Sequence, residues 1–295
     1  MFVLNDLQKL LVLAFLVTSM LSIGLRSGAA ELRAMVQARS FLGRALVANF
    51  VLVPLLGFAL ARLLPLPPGT AAALVLLACV PGGLSTIHFT AKVKGEETMA
   101  EALFVLMTLG AVLVSPWVVR MAMPAAAGVG FPHGSALAFV VLAILVPVCA
   151  GVVVHDRSPA RAPKFSRILG YVSLLPFVAF MIATKSFRKE AMQSLGGWAL
   201  VAMLLFIVAS MAIGWLLGGP HARSRQVLAT VTSMRNTAVC LLIARDSPLG
   251  VAALTPLIAF SLLMVTPNTL FALANALWGR RSRGRGAAAG KAAVS

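Results

Sequence analysis

The chain has 295 residues, of which 60% are hydrophobic and only 11% charged. Soluble globular domains carry about 25% charged and about 45–50% apolar residues, so this balance excludes a cytosolic enzyme, a disordered chain and a secreted disulfide scaffold. The net charge of +17 does not mark a nucleic-acid binder: Lys and Arg sit in short clusters between apolar stretches, where membrane proteins place them.

Each apolar stretch is long enough to cross a hydrocarbon core of about 30 Å. In chain order the pattern predicts nine spans, at 7–25, 41–62, 70–92, 101–120, 136–154, 168–184, 195–217, 227–245 and 251–277. The fold class expected is an all-α polytopic membrane protein. Residues 1–278 form one transmembrane domain with halves 1–120 and 136–278, and 279–295 form a basic, Gly-rich, disordered cytoplasmic tail. The first stretch, Leu7–Leu25, lacks a basic leader and a convincing cleavage site, so it reads as a retained span. Cys79, Cys149 and Cys240 all fall within apolar stretches at no metal or disulfide spacing, which predicts buried free thiols. Trp117, Trp198, Trp215 and Trp278 fall near span ends and read as interfacial anchors.

Nine spans put the termini on opposite faces. With the C-terminus inside, the cytoplasmic loops hold most of the basic residues, including Arg26, Arg33, Arg39, Arg44, Arg157, Arg161, Arg223 and Arg225. The N-terminus is then outside. These basic loops favour anionic lipid headgroups at the cytoplasmic face. The Ala- and Arg-rich composition suits a GC-rich bacterial genome and a bacterial inner membrane.

Two spans are abnormal. The third carries Pro81, Gly82 and Gly83 at its middle. Proline removes a backbone donor and clashes with the preceding turn, and glycines add backbone freedom. A helix is expected to break here, facing protein or a wet cavity rather than lipid. The eighth is polar at its centre, where Thr230, Thr232, Ser233, Arg235, Asn236 and Thr237 fall together. If the chain is two inverted halves, the interruptions occupy matching slots, and such pairs point to a transporter binding site. Span order alone carries that argument.

The segment from Asn49 to Gly83, NFVLVPLLGFALARLLPLPPGTAAALVLLACVPGG, resembles the bile acid:sodium symporter family, bacterial branch. FLVTSMLSIGL (Phe15–Leu25) resembles that family's early glycine-containing helix, and ATVTSMRNTAVCLLIA (Ala229–Ala244) is similar to its second crossing helix. The resemblance covers nearly the whole chain. It implies an inverted-repeat fold of panel and core domains, two broken helices crossing in the core, two sodium ions beside the crossing, and a nine-helix form lacking the first helix.

The resemblance also exposes departures. The family's Pro-Gly-Gly-Thr-Ala-Ser-Asn becomes Pro81-Gly82-Gly83-Leu84-Ser85-Thr86-Ile87, so Thr86 keeps an oxygen and Ile87 loses an amide. The family's Glu-x-Gly-Met-Gln-Asn becomes Val231-Thr232-Ser233-Met234-Arg235-Asn236, which replaces the carboxylate with Val231 and the amide with Arg235. A sodium-binding Gln of the preceding helix is matched by Asn49. Thr108 is the nearest match for the hydroxyl ligands of the next helix.

A guanidinium is always charged. At 4 Å from a sodium ion it repels by about 4 kcal/mol at an effective dielectric of 20, so the two do not share a site. Arg235 is therefore expected to take the place of a bound cation, holding the broken helices through backbone carbonyls and Asn236, or to pair with a substrate carboxylate or sulfate. A purely structural clamp is the bland alternative. His88, just past the first break, invites proton coupling, against a plain lining role. Glu96, Glu97 and Glu101 read as a solvated helix start with local ion pairs, or as a gate or counter-ion network. Ser85, Ser233, Met234 and Asn268 read as supporting packing or helix–helix hydrogen bonds.

The expectation is a transporter of small or amphipathic organic anions, sodium-independent, with no cofactor. A conventional sodium-coupled symporter and a non-transporting ligand sensor are the alternatives. No nucleotide loop, zinc motif or nucleophile–base pair supports an enzyme.

Overall fold

A computed structural model describes residues 6–83, 97–122, 134–183, 195–244, 248–275 and 277. The described residues are almost entirely helical, and none forms a strand beyond one isolated bridge. The helices are α1 (Asp6–Gly24), α2 (Ala29–Gln37), α3 (Arg39–Val47), α4 (Val53–Leu63), α5 (Pro68–Cys79), α6 (Glu97–Ala122), α7 (Gly134–Arg157), α8 (Ala162–Ala183), α9 (Gly197–Leu217), α10 (Ala222–Ser233), α11 (Thr237–Ala244) and α12 (Pro248–Leu263). The chain is helical again over 265–275.

Among the described residues, four helical runs are long and apolar enough to cross a membrane: Asp6–Gly24, Arg39–Leu63, Gly197–Leu217 and Ala252–Asn275. The run Arg39–Leu63 spans α3 and α4 without a break because a π-helical segment, Ala48–Leu52, joins them. Neither that segment nor α2 was expected from the apolar pattern. The third and eighth predicted spans are interrupted as expected. The third is helical up to Cys79, and its portion from residue 84 lies outside the described residues. The eighth divides into α10 and α11 around Met234–Asn236.

The helices fall into two packed groups. One is α1 with α7 and α8, and the other joins α4, α5, α9, α10, α11 and α12. Within the first group, Gly24 and Gly151 bring α1 and α7 into backbone contact: a methyl on Gly24 would strike the Val148 carbonyl. Small residues at such crossings let helices approach where lipid supplies no hydrophobic drive. Ser22 and Ser166 fasten α1 to α8, each hydroxyl donating to the other's carbonyl at 2.8 Å. In the second group, Phe206 of α9 meets Phe260 of α12 edge-on at 5.9 Å between ring centroids.

The expectation of three buried thiols holds for Cys79 and Cys240 but not for Cys149, which is exposed on α7. In a bilayer the outer surface of a helix is as apolar as its packed face, so an apolar neighbourhood does not imply burial. Trp198 is exposed at the start of α9, and Trp215 packs edge-on against Phe271.

A candidate site where two interrupted helices cross

The two interruptions meet. Val80 leaves the helical conformation at the end of α5, and Met234 does so at the end of α10. Pro81 then pairs with Arg235 in an isolated antiparallel bridge. The Asn236 amide donates to the Val80 carbonyl at 3.2 Å, and the Gly83 amide donates to the Met234 carbonyl at 3.3 Å. Backbone groups freed by one broken helix are thus satisfied by the other, which is the condition for non-helical backbone at membrane depth.

Each residue at the crossing is there for a local reason. Pro81 has no amide to donate, so helix α5 loses its continuation. Gly82 has φ of +90°, a conformation that costs an L residue about 1–2 kcal/mol. A Cβ there would also sit 2.7 Å from the Thr108 hydroxyl on α6. At Gly83 a Cβ would lie 2.9 Å from the Arg235 carbonyl. Asn236 is the N-cap of α11: its Oδ1 accepts from the Val239 amide at 3.2 Å, and its carbonyl accepts from Cys240 at 3.1 Å. Ser233 donates to Asn268 Oδ1 at 2.7 Å, and Asn268 Nδ2 donates to the Met264 carbonyl at 2.8 Å. Met234 is fully buried.

Arg235 is the largest fully buried side chain among the described residues. Its Nε, Nη1 and Nη2 have no hydrogen-bond partner among those residues. The expected bonds from the guanidinium to backbone carbonyls and to Asn236 are therefore not made by any described group; backbone bonds hold the crossing instead. The guanidinium lies over the ring of Phe206, its Cζ 5.9 Å from the centroid, within reach of a cation–π attraction. Two helix C-termini, those of α5 and α10, converge here. Each carries the equivalent of about half a negative charge, against about half a positive charge from the N-terminus of α11; the helix ends leave a net negative partial charge, and Arg235 stands on it.

Asn49 and Thr108 lie beside this framework. Asn49 is fully buried on the π-helical segment, which packs against α5, α6 and α9. Its Nδ2 donates to the Ala45 carbonyl at 3.0 Å, while Oδ1 has no partner among the described residues. Thr108 Oγ1 is likewise buried and unpartnered. Thus Asn49, Pro81, Gly82, Gly83, Thr108, Ser233, Met234, Arg235 and Asn236 are placed on elements that pack at the crossing. Ser85, Thr86 and His88 lie outside the described residues, as do Glu96 and the tail 279–295.

Two residues of α9 were not anticipated. Phe206 supplies the ring under Arg235, and Ser210 is buried with an unpartnered hydroxyl one helical turn on. In an apolar stretch neither stood out: a phenylalanine reads as core and a lone serine as packing. No group of three or more His, Cys, Asp or Glu side chains among the described residues could hold a metal ion.

Long apolar helices mark an integral membrane protein, and two helices that break off and meet within it are an arrangement that transporters use for binding sites. The Sodium Bile acid symporter family model matches residues 13–217, and the chain belongs to that family. The matched region contains the first interruption and ends before the second. The chain is 28% identical over 236 residues to "Uncharacterized sodium-dependent transporter YocS" of Bacillus subtilis, covering 77% of this chain and 67% of that one. It is 25% identical over 229 residues to "Probable sodium/metabolite cotransporter BASS2, chloroplastic" of rice, covering 77% of this chain and 54% of that one. A second rice relative, "Probable sodium/metabolite cotransporter BASS3, chloroplastic", is 23% identical over 205 residues, 67% of this chain and 48% of that one. The chain therefore spans about half the length of the rice relatives it matches.

Proposed function

We propose that the chain carries small organic anions across a bacterial inner membrane without sodium coupling, with Arg235 serving as a built-in cation at the crossing. In this reading α1, α7 and α8 are a panel and the remaining spans a core of two inverted halves, with the N-terminus outside and the C-terminus in the cytoplasm. The core moves against the panel to expose the site alternately. The supporting observation is that a permanently charged, fully buried side chain occupies the meeting point of two helix C-termini. A helix end that already faces a guanidinium has no need of a dissociable ion. The three unpartnered guanidinium nitrogens leave donors for a carboxylate or sulfate once the crossing opens.

Sodium-coupled transport is the second reading. It is favoured by Asn49 Oδ1 and Thr108 Oγ1, two buried oxygens with no partner among the described residues, and by the names of the relatives. The test is uptake of a labelled bile salt and a labelled keto acid into proteoliposomes, with sodium or choline as the external cation. Equal uptake in both supports the first reading. Uptake that requires sodium supports the second, and ligand binding without flux would make the protein a sensor.

A further inference from the structure

At the far end of α9 from Trp198, two arginines from different helices converge on one glycine. Gly219 follows the last turn of α9 and has φ of +92°. A Cβ there would sit 2.8 Å from Nη2 and 3.0 Å from Nη1 of Arg44, which comes from α3. From the first turn of α10, Arg225 donates its Nε to the Gly219 carbonyl. Both arginines are half-buried. The positive φ favours glycine here, and it lets the Arg44 guanidinium lie against the Gly219 backbone whose carbonyl holds Arg225.

The pair is not charge-compensated. Arg44 donates its Nε to the Ser40 carbonyl at 3.1 Å. Neither its Nη1 and Nη2 nor the Nη atoms of Arg225 have a protein partner among the described residues, and no described carboxylate forms an ion pair with either side chain. The first turn of α10 adds to the positive field: its N-cap, His221, makes no side-chain capping bond. Arg223 and Arg39 are exposed nearby on the same two helices. The Gly219 carbonyl, just past α9, accounts for the Nε of Arg225 but leaves the rest of its fork and all of Arg44's outer edge unused.

The location selects the ligand. Gly197–Leu217 is one of the membrane-crossing runs, and Gly219 lies two residues past its end. Arg44 is in the second turn of another, Arg39–Leu63. Three helix ends thus meet where two apolar runs begin or end, the level at which a bilayer that they cross would place its headgroups. A phosphate group presents several oxygens to planar donor forks and is the commonest anion at that depth.

We infer that Arg44 and Arg225, seated on Gly219, form a phosphate-binding site at the membrane surface, with the headgroup of an anionic phospholipid as its ligand. It is separate from the helix crossing and does not depend on the transport reading. The test uses the full chain, delipidated in neutral detergent and titrated with phosphatidylglycerol or phosphatidylcholine under native mass spectrometry. Inorganic phosphate is then added as competitor. The wild type should bind phosphatidylglycerol in preference. Arg44→Gln should weaken that binding about tenfold or more, because it removes a charged hydrogen-bonding fork from the phosphate. Arg44→Lys should recover part of it. Arg62→Gln, which removes the same charge at the other end of the run Arg39–Leu63, should leave it unchanged. Competition by inorganic phosphate would identify a site open to free phosphate; no competition would assign it to lipid alone, and either supports the inference. Equal binding of the two lipids, or equal losses in Arg44→Gln and Arg62→Gln, would overturn it. Among the described residues Arg44 bonds only within its own helix turn, so its loss spares the fold.

Discussion

Pro81 and Arg235 face each other across an antiparallel bridge although 153 positions separate them in the chain, and that bridge is where α5 and α10 end. The proline cannot donate a backbone hydrogen bond, and the arginine's own carbonyl accepts from Thr237 at 3.0 Å. The bonds that hold the crossing come from their neighbours. The Arg235 side chain is therefore free of the task of bracing the backbone. What it contributes is charge, set against two helix C-termini and the face of Phe206.

Gly82→Ala should destabilise the protein by about 1–3 kcal/mol, because it adds strain at φ of +90° and crowds the Thr108 hydroxyl. Thermal unfolding in detergent measures this. Adding Thr108→Ala should recover only the crowding, so the double variant should stay below wild type. Full recovery would show that the backbone there is unstrained.

Ser233→Ala should cost about 1–3 kcal/mol by leaving Asn268 Oδ1 buried without a donor. Pairing it with Asn268→Leu should cost less than the sum of the two single changes, because both ends of the hydrogen bond are then removed. Additive losses in a double-mutant cycle would show that the 2.7 Å contact contributes nothing.

Arg26, at the end of α1, donates from Nη1 to Glu101 of α6 at 3.2 Å and from Nε to Ser166 of α8 at 2.9 Å. Glu101 thus bonds across helices rather than only within its own helix start. The contact ties α6 to the α1–α7–α8 group, and any motion of α6 against that group must loosen it. Their side chains are only 27% and 13% exposed, so solvent screens the pair in part only, and the coupling in a double-mutant cycle on stability should exceed the ~0.2–1 kcal/mol of exposed pairs. Arg26→Gln and Glu101→Gln should change the uptake rate in the same direction and to the same extent. Opposite effects would show that the two act separately.

The two interruptions were legible because Pro81, Gly82, Gly83 and the polar run around Arg235 violate what an apolar helix requires. Their meeting was supported only by the order of spans and by the family resemblance, since nothing in either segment names the other. The hydrogen bonds that join Val80 with Asn236 and Gly83 with Met234 are backbone to backbone, and they leave no trace in residue type. Phe206 stayed hidden for a related reason. In α9 nearly every position is apolar, so no periodicity separates the ring under Arg235 from those facing lipid, such as Leu204 and Leu205. Cys149 was misplaced by the same uniformity. Arg44 and Arg225 were visible as loop charges, but their convergence depends on the turn at Gly219, which only the folded chain displays.

The central claim is that Arg235 fills the place of a cation. The most direct measurement is the melting temperature of the purified protein in sodium chloride against choline chloride, for wild type and Arg235→Gln. Wild type should melt at the same temperature in both salts, and the variant should be stabilised by sodium because its helix C-termini then face an uncharged side chain. A wild type that is strongly and specifically stabilised by sodium would contradict the account and make sodium symport the working mechanism.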